Sequence, residues 1–104
     1  SAASDVYKRQ KASRIRDIAL AHGIDIFVMA TGGSVLADTE ALHLAATIPV
    51  DNMLGVWACQ DMITTEIADG AGPRANNGHL HLPEQPGLGV HPQESTLTRV
   101  ARYE

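Results

Sequence analysis

Residues 24–43, IDIFVMATGGSVLADTEALH, hold three successive patterns, and the order of those patterns decides the fold. Ile26, Phe27, Val28, Met29 and Ala30 make a short unbroken apolar run with β-branched and aromatic members. Such a run reads as a strand covered on both faces, as the strands of a parallel sheet are. Gly32 and Gly33 end it. Ser34 stands in an N-cap position, and Val35, Leu36, Thr39, Leu42, His43 and Ala46 recur at helical spacing, which predicts a helix over 35–47. Strand, glycine turn and helix in that order form a unit of a parallel α/β fold. Ligands of such folds sit beyond the carboxyl ends of the strands, where the following helix directs its unpaired N–H groups. Thr31, Gly32, Gly33 and Ser34 are therefore the best-placed candidates to bind one.

The flanks extend the alternation. Ala12, Ile15, Ile18, Ala19 and His22 fall on one helical face, Arg14, Arg16 and Asp17 on the other, and Gly23 follows where a helix C-cap glycine belongs. Downstream, Ile48 and Pro49 close the second helix, 50–52 turn, and 53–59, MLGVWAC, read as a second buried strand. Helix, strand, helix, strand implies crossover connections and a parallel sheet. Met62, Ile63, Glu66 and Ile67 predict a short helix over 60–68, which Gly70 and its successors break. Asn77-Gly78 is a strong turn dipeptide, 79–82 alternate as a short strand does, and Pro83, Pro86, Gly87, Gly89 and Pro92 impose an extended loop. Residues 96–104 carry no readable pattern, and no internal repeat is present.

Composition bounds the possibilities. With 44% hydrophobic and 19% charged residues the chain is globular in character rather than disordered. A net charge of −4 gives no reason to expect nucleic acid or an anionic membrane as partner. No apolar run approaches the roughly 20 residues needed to span a bilayer. Cys59 is the single cysteine, so an internal disulfide is impossible and the cytoplasm is the expected compartment. The first ten residues, SAASDVYKRQ, resemble translated library-adapter sequence found at the ends of frames assembled from environmental DNA, and are set aside from the fold. The absence of an initiator Met and of a secretory apolar segment makes residue 1 read as a cut.

Two apolar strands are too few for an independent parallel domain. They leave both sheet edges and much of both faces uncovered, and a parallel barrel takes about 250 residues. Residues 11–104 are therefore expected to be the carboxyl-terminal part of a larger α/β protein.

Three motifs carry a resemblance. The tail NGHLHLPEQPGLGV at 77–90 is similar to the closing segment of the mandelate racemase and muconate lactonising enzyme family of the enolase superfamily, whose members end in a short strand, a proline and then P-G-L-G-V or a close variant. A-x-x-H-G-I at 19–24 and A-L-H-L-A-A at 41–46 resemble the same family, in the same order and at comparable separations. The resemblance covers essentially all of 11–104. It implies an α/β fold of TIM type, a (β/α) barrel of which 11–76 are about the last two β/α units and 77–104 the closing segment. It also implies Mg2+ held by carboxylates, a base that removes the proton α to a substrate carboxylate, a small carboxylate substrate that can derive from an amino acid, and a homo-oligomeric whole protein. On this alignment 24–30 are the seventh barrel strand and 53–59 the eighth. The metal ligands and lysine bases of the family then lie upstream of residue 1, which leaves no catalytic or metal-binding residue in the chain and the chain inactive alone. Mandelate racemase carries a catalytic histidine at the end of its seventh strand, whereas Met29, Ala30 and Thr31 stand here. That departure favours the lysine-dependent branches and the amino-acid racemase and dehydratase relatives, and VMATGGS at 28–34 is similar to hydroxyproline dehydratase-like members.

Duller roles stand beside each functional one. Thr31, Gly32, Gly33 and Ser34 either bind a substrate carboxylate or simply make a tight turn and cap. Trp57 either walls a substrate pocket or packs in the core. Asp61 reads as a solvated loop acid, and His79 and His81 as an exposed strand face lacking a third metal ligand. His43 reads as a core histidine and Cys59 as a buried, inert thiol. Two rival functions remain open: a small α/β module binding phosphate or carboxylate at T-G-G-S, which lacks the glycine-rich nucleotide patterns, and a non-catalytic interaction domain.

Overall fold

The computed structural model of the chain describes the backbone of residues 2–30, 34–69 and 72–103. A first helix, α1 (Ala2–Ala21), leads into strand β1 (Ile26–Met29), helix α2 (Val35–Ala45) and strand β2 (Met53–Trp57). β1 and β2 pair in parallel, with Phe27 beside Gly55, Val28 beside Val56 and Met29 beside Trp57. The expected alternation of helix and strand is thus realised, with α2 as the crossover between neighbouring parallel strands.

Helix α1 begins earlier than the apolar spacing predicts. Residues 2–10 contain neither Gly nor Pro and include Ala, Lys, Arg and Gln, all good helix formers, so nothing stops the helix at Lys11. It ends as predicted at Gly23. The Gly23 amide donates to the Leu20 carbonyl at 3.1 Å and the Ile24 amide to the Ala19 carbonyl at 2.9 Å, the paired bonds of a Schellman cap. Helix α2 starts at Val35 as expected but stops at Ala45, two residues short. Its last turn tightens, with Thr47 N–H donating to Leu44 at 3.0 Å and Ile48 N–H to Ala45 at 3.0 Å, because Pro49 has no N–H to continue the ladder and disfavours helical backbone before it.

Burial corrects the reading of the strands as covered on both faces. On one face Val28 joins Ala45 and Ile48 in a buried cluster, flanked by Leu20, Ile26, Ala41, Met53 and Val56. That face lies under α2. On the other, Phe27 is 54% exposed, Met29 52% and Trp57 41%. Among the described residues the parallel sheet has two strands, and α2 can cover only one side of them.

Beyond β2 the predicted helix over 60–68 is reduced to a 3-10 turn, Gln60–Met62. Ile63, Thr64 and Thr65 follow, a β-branched run that loses side-chain freedom in a helix, and the chain becomes extended. β3 (Ala68–Asp69) then pairs antiparallel with β4 (His91–Pro92), and the Gln93 amide donates to the Ile67 carbonyl at 2.7 Å. This return carries Val90 into a second buried cluster with Val35 and Ala68. The Asn77-Gly78 turn forms with both residues at positive φ, 51° and 76°, closed by reciprocal bonds between Asn76 and His79. The strand expected over 79–82 does not extend past that bridge, since among the described residues 80–82 have no ladder partner. They line instead a groove of about 470 Å³ over Leu42, Ala45, Met53 and Val56.

Candidate functional site

The carboxyl ends of β1 and β2 and the amino end of α2 meet at one end of the molecule. Met29 and Trp57 close the two strands and are register partners, so on the uncovered face an apolar thioether stands beside an indole. The pleat puts Phe27 and Gly55 one layer deeper on the same face, with the Phe27 ring over Gly55: a methyl group added to that glycine would lie 3.0 Å from the ring edge. Trp57 is therefore neither fully packed nor fully solvated. It is a half-open wall.

Of the glycine turn, Thr31, Gly32 and Gly33 lie outside the described residues. Ser34 occupies the N-cap position with extended backbone, φ −73° and ψ 170°, but its side chain makes no capping hydrogen bond. Its carbonyl accepts the Asp38 amide at 3.1 Å, which opens the helical ladder.

Asp38, which sequence reading did not single out, is the most buried acid of this end, at 1% exposure. It faces the exit of β2. Its Oδ2 accepts the Cys59 amide at 2.9 Å and the Gln60 side-chain amide at 2.5 Å, and the Cys59 Sγ lies at 3.4 Å from the same oxygen. Cys59 and Gln60 are each 2% exposed. A buried carboxylate is tolerated only when donors surround it, and here one short segment supplies them all. A signal was available: Val35, Asp38, Thr39, Leu42 and Ala45 form the buried stripe of α2, and an acid at one position of such a stripe demands a partner. The same partner modifies the reading of Cys59, which is buried as expected but stands against a carboxylate.

Outside this core, Arg74 spans the loop. It donates to the Gln60 carbonyl at 3.2 Å and pairs with Asp61 at 3.4 Å and Glu66 at 3.6 Å. Asp61 is thus a paired surface acid. The Nε2 of His43 donates to the Leu88 carbonyl at 2.9 Å, fixing the closing segment against α2. His79 and His81 are both exposed, on a turn and the segment after it instead of one strand face.

Among the described residues no three His, Cys, Asp or Glu side chains stand together as a metal site. Asp38 is committed to the Cys59 and Gln60 donors.

Comparison with known proteins follows the same lines as the geometry. Residues 9–96 match the family described as enolase C-terminal domain-like. The chain belongs to that family. In it this domain is the (β/α) barrel, and the strand, helix and strand described above are a part of one. The enolase-family chain is 34% identical, over 94 residues, to a cis-3-hydroxy-L-proline dehydratase of Roseibium aggregatum, covering 89% of this chain and 25% of that protein. A structure from Silicibacter pomeroyi, assigned to the mandelate racemase/muconate lactonizing enzymes, is 72% identical with a TM-score of 0.78, over 85% of this chain and 24% of that one. A magnesium complex of an enolase-superfamily member from Roseovarius nubinhibens ISM is 39% identical with a TM-score of 0.80, over 88% of this chain and 25% of that one. The chain therefore spans about a quarter of the length of these relatives.

Proposed function

We propose that the chain is the carboxyl-terminal quarter of a magnesium-dependent, cytoplasmic, homo-oligomeric enzyme that removes the proton α to the carboxylate of a small, amino-acid-derived substrate, as a dehydratase, racemase or cycloisomerase. The observation that carries this reading is the uncovered face of the β1–β2 pair. A helix covers the opposite face, as the outer helices of a barrel do, so the bare face with Met29 and Trp57 at its carboxyl rim is the inner one. The Roseibium relative supports an imino-acid substrate, and the magnesium complex from Roseovarius supports the metal.

In this reading the quarter supplies binding rather than proton transfer. Neither Met29 nor Trp57 titrates, so the acid–base work falls to residues upstream of residue 1, as do the metal ligands. Trp57 and Met29 give the hydrocarbon part of the substrate an apolar wall, and the amides and hydroxyls of 31–34 receive its carboxylate. An apolar wall also excludes water, which strengthens every charge interaction made across the pocket.

The test is to recover the upstream reading frame, express the whole protein and assay it with magnesium in deuterated water for α-proton exchange on proline, its hydroxylated isomers and open-chain amino acids. Magnesium-dependent exchange, with frame-encoded acids on three successive strands and flanking lysines, is the expected result. A start codon close to Lys11, or no exchange from the complete protein, overturns the reading in favour of a small anion-binding module.

A further inference from the structure

We propose that Asp38 is a positioning residue of the site: by holding the exit of β2 from beneath, it sets where the Trp57 wall stands. The value of this to catalysis rests on the function proposed above, but the positioning itself is a property of the chain and is tested without activity. Trp57 is the last ladder residue of β2, fixed on one side by its pairing with Met29. On its other side the chain leaves the sheet, and among the described residues two side chains from elsewhere in the chain are seen to hold that exit. Arg74 does so from the surface, with a neighbouring ion pair of 3.4 Å whose partners are 46% and 71% exposed, and such pairs hold little. Asp38 does so from inside, accepting the Cys59 amide and the Gln60 side chain two and three residues beyond the indole. Bonds to a buried charge are the stronger kind. An apolar residue would fill the stripe of α2 as well or better, so the acid is explained by what it holds and not by packing alone.

The chain provides its own probes, since it has one cysteine and one tryptophan, the cysteine within the grip and the tryptophan two residues before it. Alkylation of Cys59 by iodoacetamide reads local opening of the exit, and acrylamide quenching of Trp57 reads the setting of the wall. Asp38→Asn removes the charge from the oxygen that accepts both the Cys59 amide and the Gln60 side chain, and puts an NH2 group in place of Oδ1, beside the Cys59 Sγ. It is expected to speed alkylation about tenfold, as both bonds lose their charged acceptor, and to shift quenching in the same dilute samples. Adding Gln60→Glu restores donor to acceptor in reversed polarity and returns both signals toward the parent. Val28→Ala, in the other cluster, serves as control: it lowers the urea midpoint without touching the exit. The proposal is overturned if quenching stays at the parental value in Asp38→Asn, if both signals follow the urea midpoint as they do in the control, or if Gln60→Glu restores neither. Should circular dichroism find Asp38→Asn unfolded, Gln60→Met is read instead. A smaller change of the same sign upholds the proposal, and none overturns it. A complete enzyme without exchange activity would leave these readings unaltered, so the two failures are distinct.

Discussion

At the scale of single residues, the tightest constraint is steric. Gly72 lies so close to α2 that a Cβ built there would stand 1.9 Å from the Cγ2 of Val35, which is itself 1% exposed. Neither atom has room to yield. Gly72→Ala is expected to cost about 1–3 kcal/mol, read as a lowered urea midpoint at unchanged slope. Gly89 is held for a second reason as well, since its φ is +84° and an added Cβ would meet Pro83 at 2.3 Å. Trp57 belongs at this scale too. On the function proposed above, Trp57→Ala in the complete protein is expected to raise KM roughly tenfold with a smaller effect on kcat, because an apolar wall would bind ground and transition states alike; steady-state kinetics on the exchanging substrate would measure it. The sequence made Trp57 and Ser34 visible through their places beside strand ends. For Asp38 the helical stripe signals that some partner is needed but not which, because Cys59 and Gln60 reach it only through the fold.

At the scale of elements, legibility followed the kind of signal. β1 and β2 were evident from unbroken apolar runs, and α2 from its 3.6-residue period, because these patterns express burial that the element secures by itself. Elements that depend on a distant partner were hidden. β3 and β4 are two residues each and exist only because 91–92 return to 68–69, and no local pattern in Ala68 or His91 records that pairing. The reverse error occurred at 79–82, where alternation is present but no neighbouring strand receives it. The contact that secures the return is His43 on Leu88. His43→Leu keeps the helix and removes the donor, so it is expected to cost about 0.5–1.5 kcal/mol, and limited proteolysis should cut first within 83–93.

At the scale of the whole molecule, the dominant feature is the bare face of the sheet. Phe27, Met29 and Trp57 are all more than two-fifths exposed and sit on strands whose outer edges are unpaired among the described residues. Contiguous apolar surface beside open strand edges associates with whatever can cover it. The chain alone is therefore expected to bind a hydrophobic dye and to form larger species as its concentration rises, in light scattering and sedimentation. Supplying the upstream three-quarters of the barrel should abolish both signals. That the two strands belong to a larger barrel was legible from strand counting; a substrate was not, because an apolar strand rim and a glycine turn are common to sites for many small molecules.

The return of the closing segment also has a consequence in time. Val35 is synthesised long before Val90, yet the two share one buried cluster, and Leu88 must arrive before His43 has its acceptor. While the ribosome is still translating the loop between them, the amino end of α2 is necessarily uncovered, and a nascent chain stalled before residue 88 would present it to chaperones and proteases. The amino end of α2 is thus covered only after residue 90 has been made, so that a rare-codon pause in 72–88 would lengthen the interval in which it is open to attack.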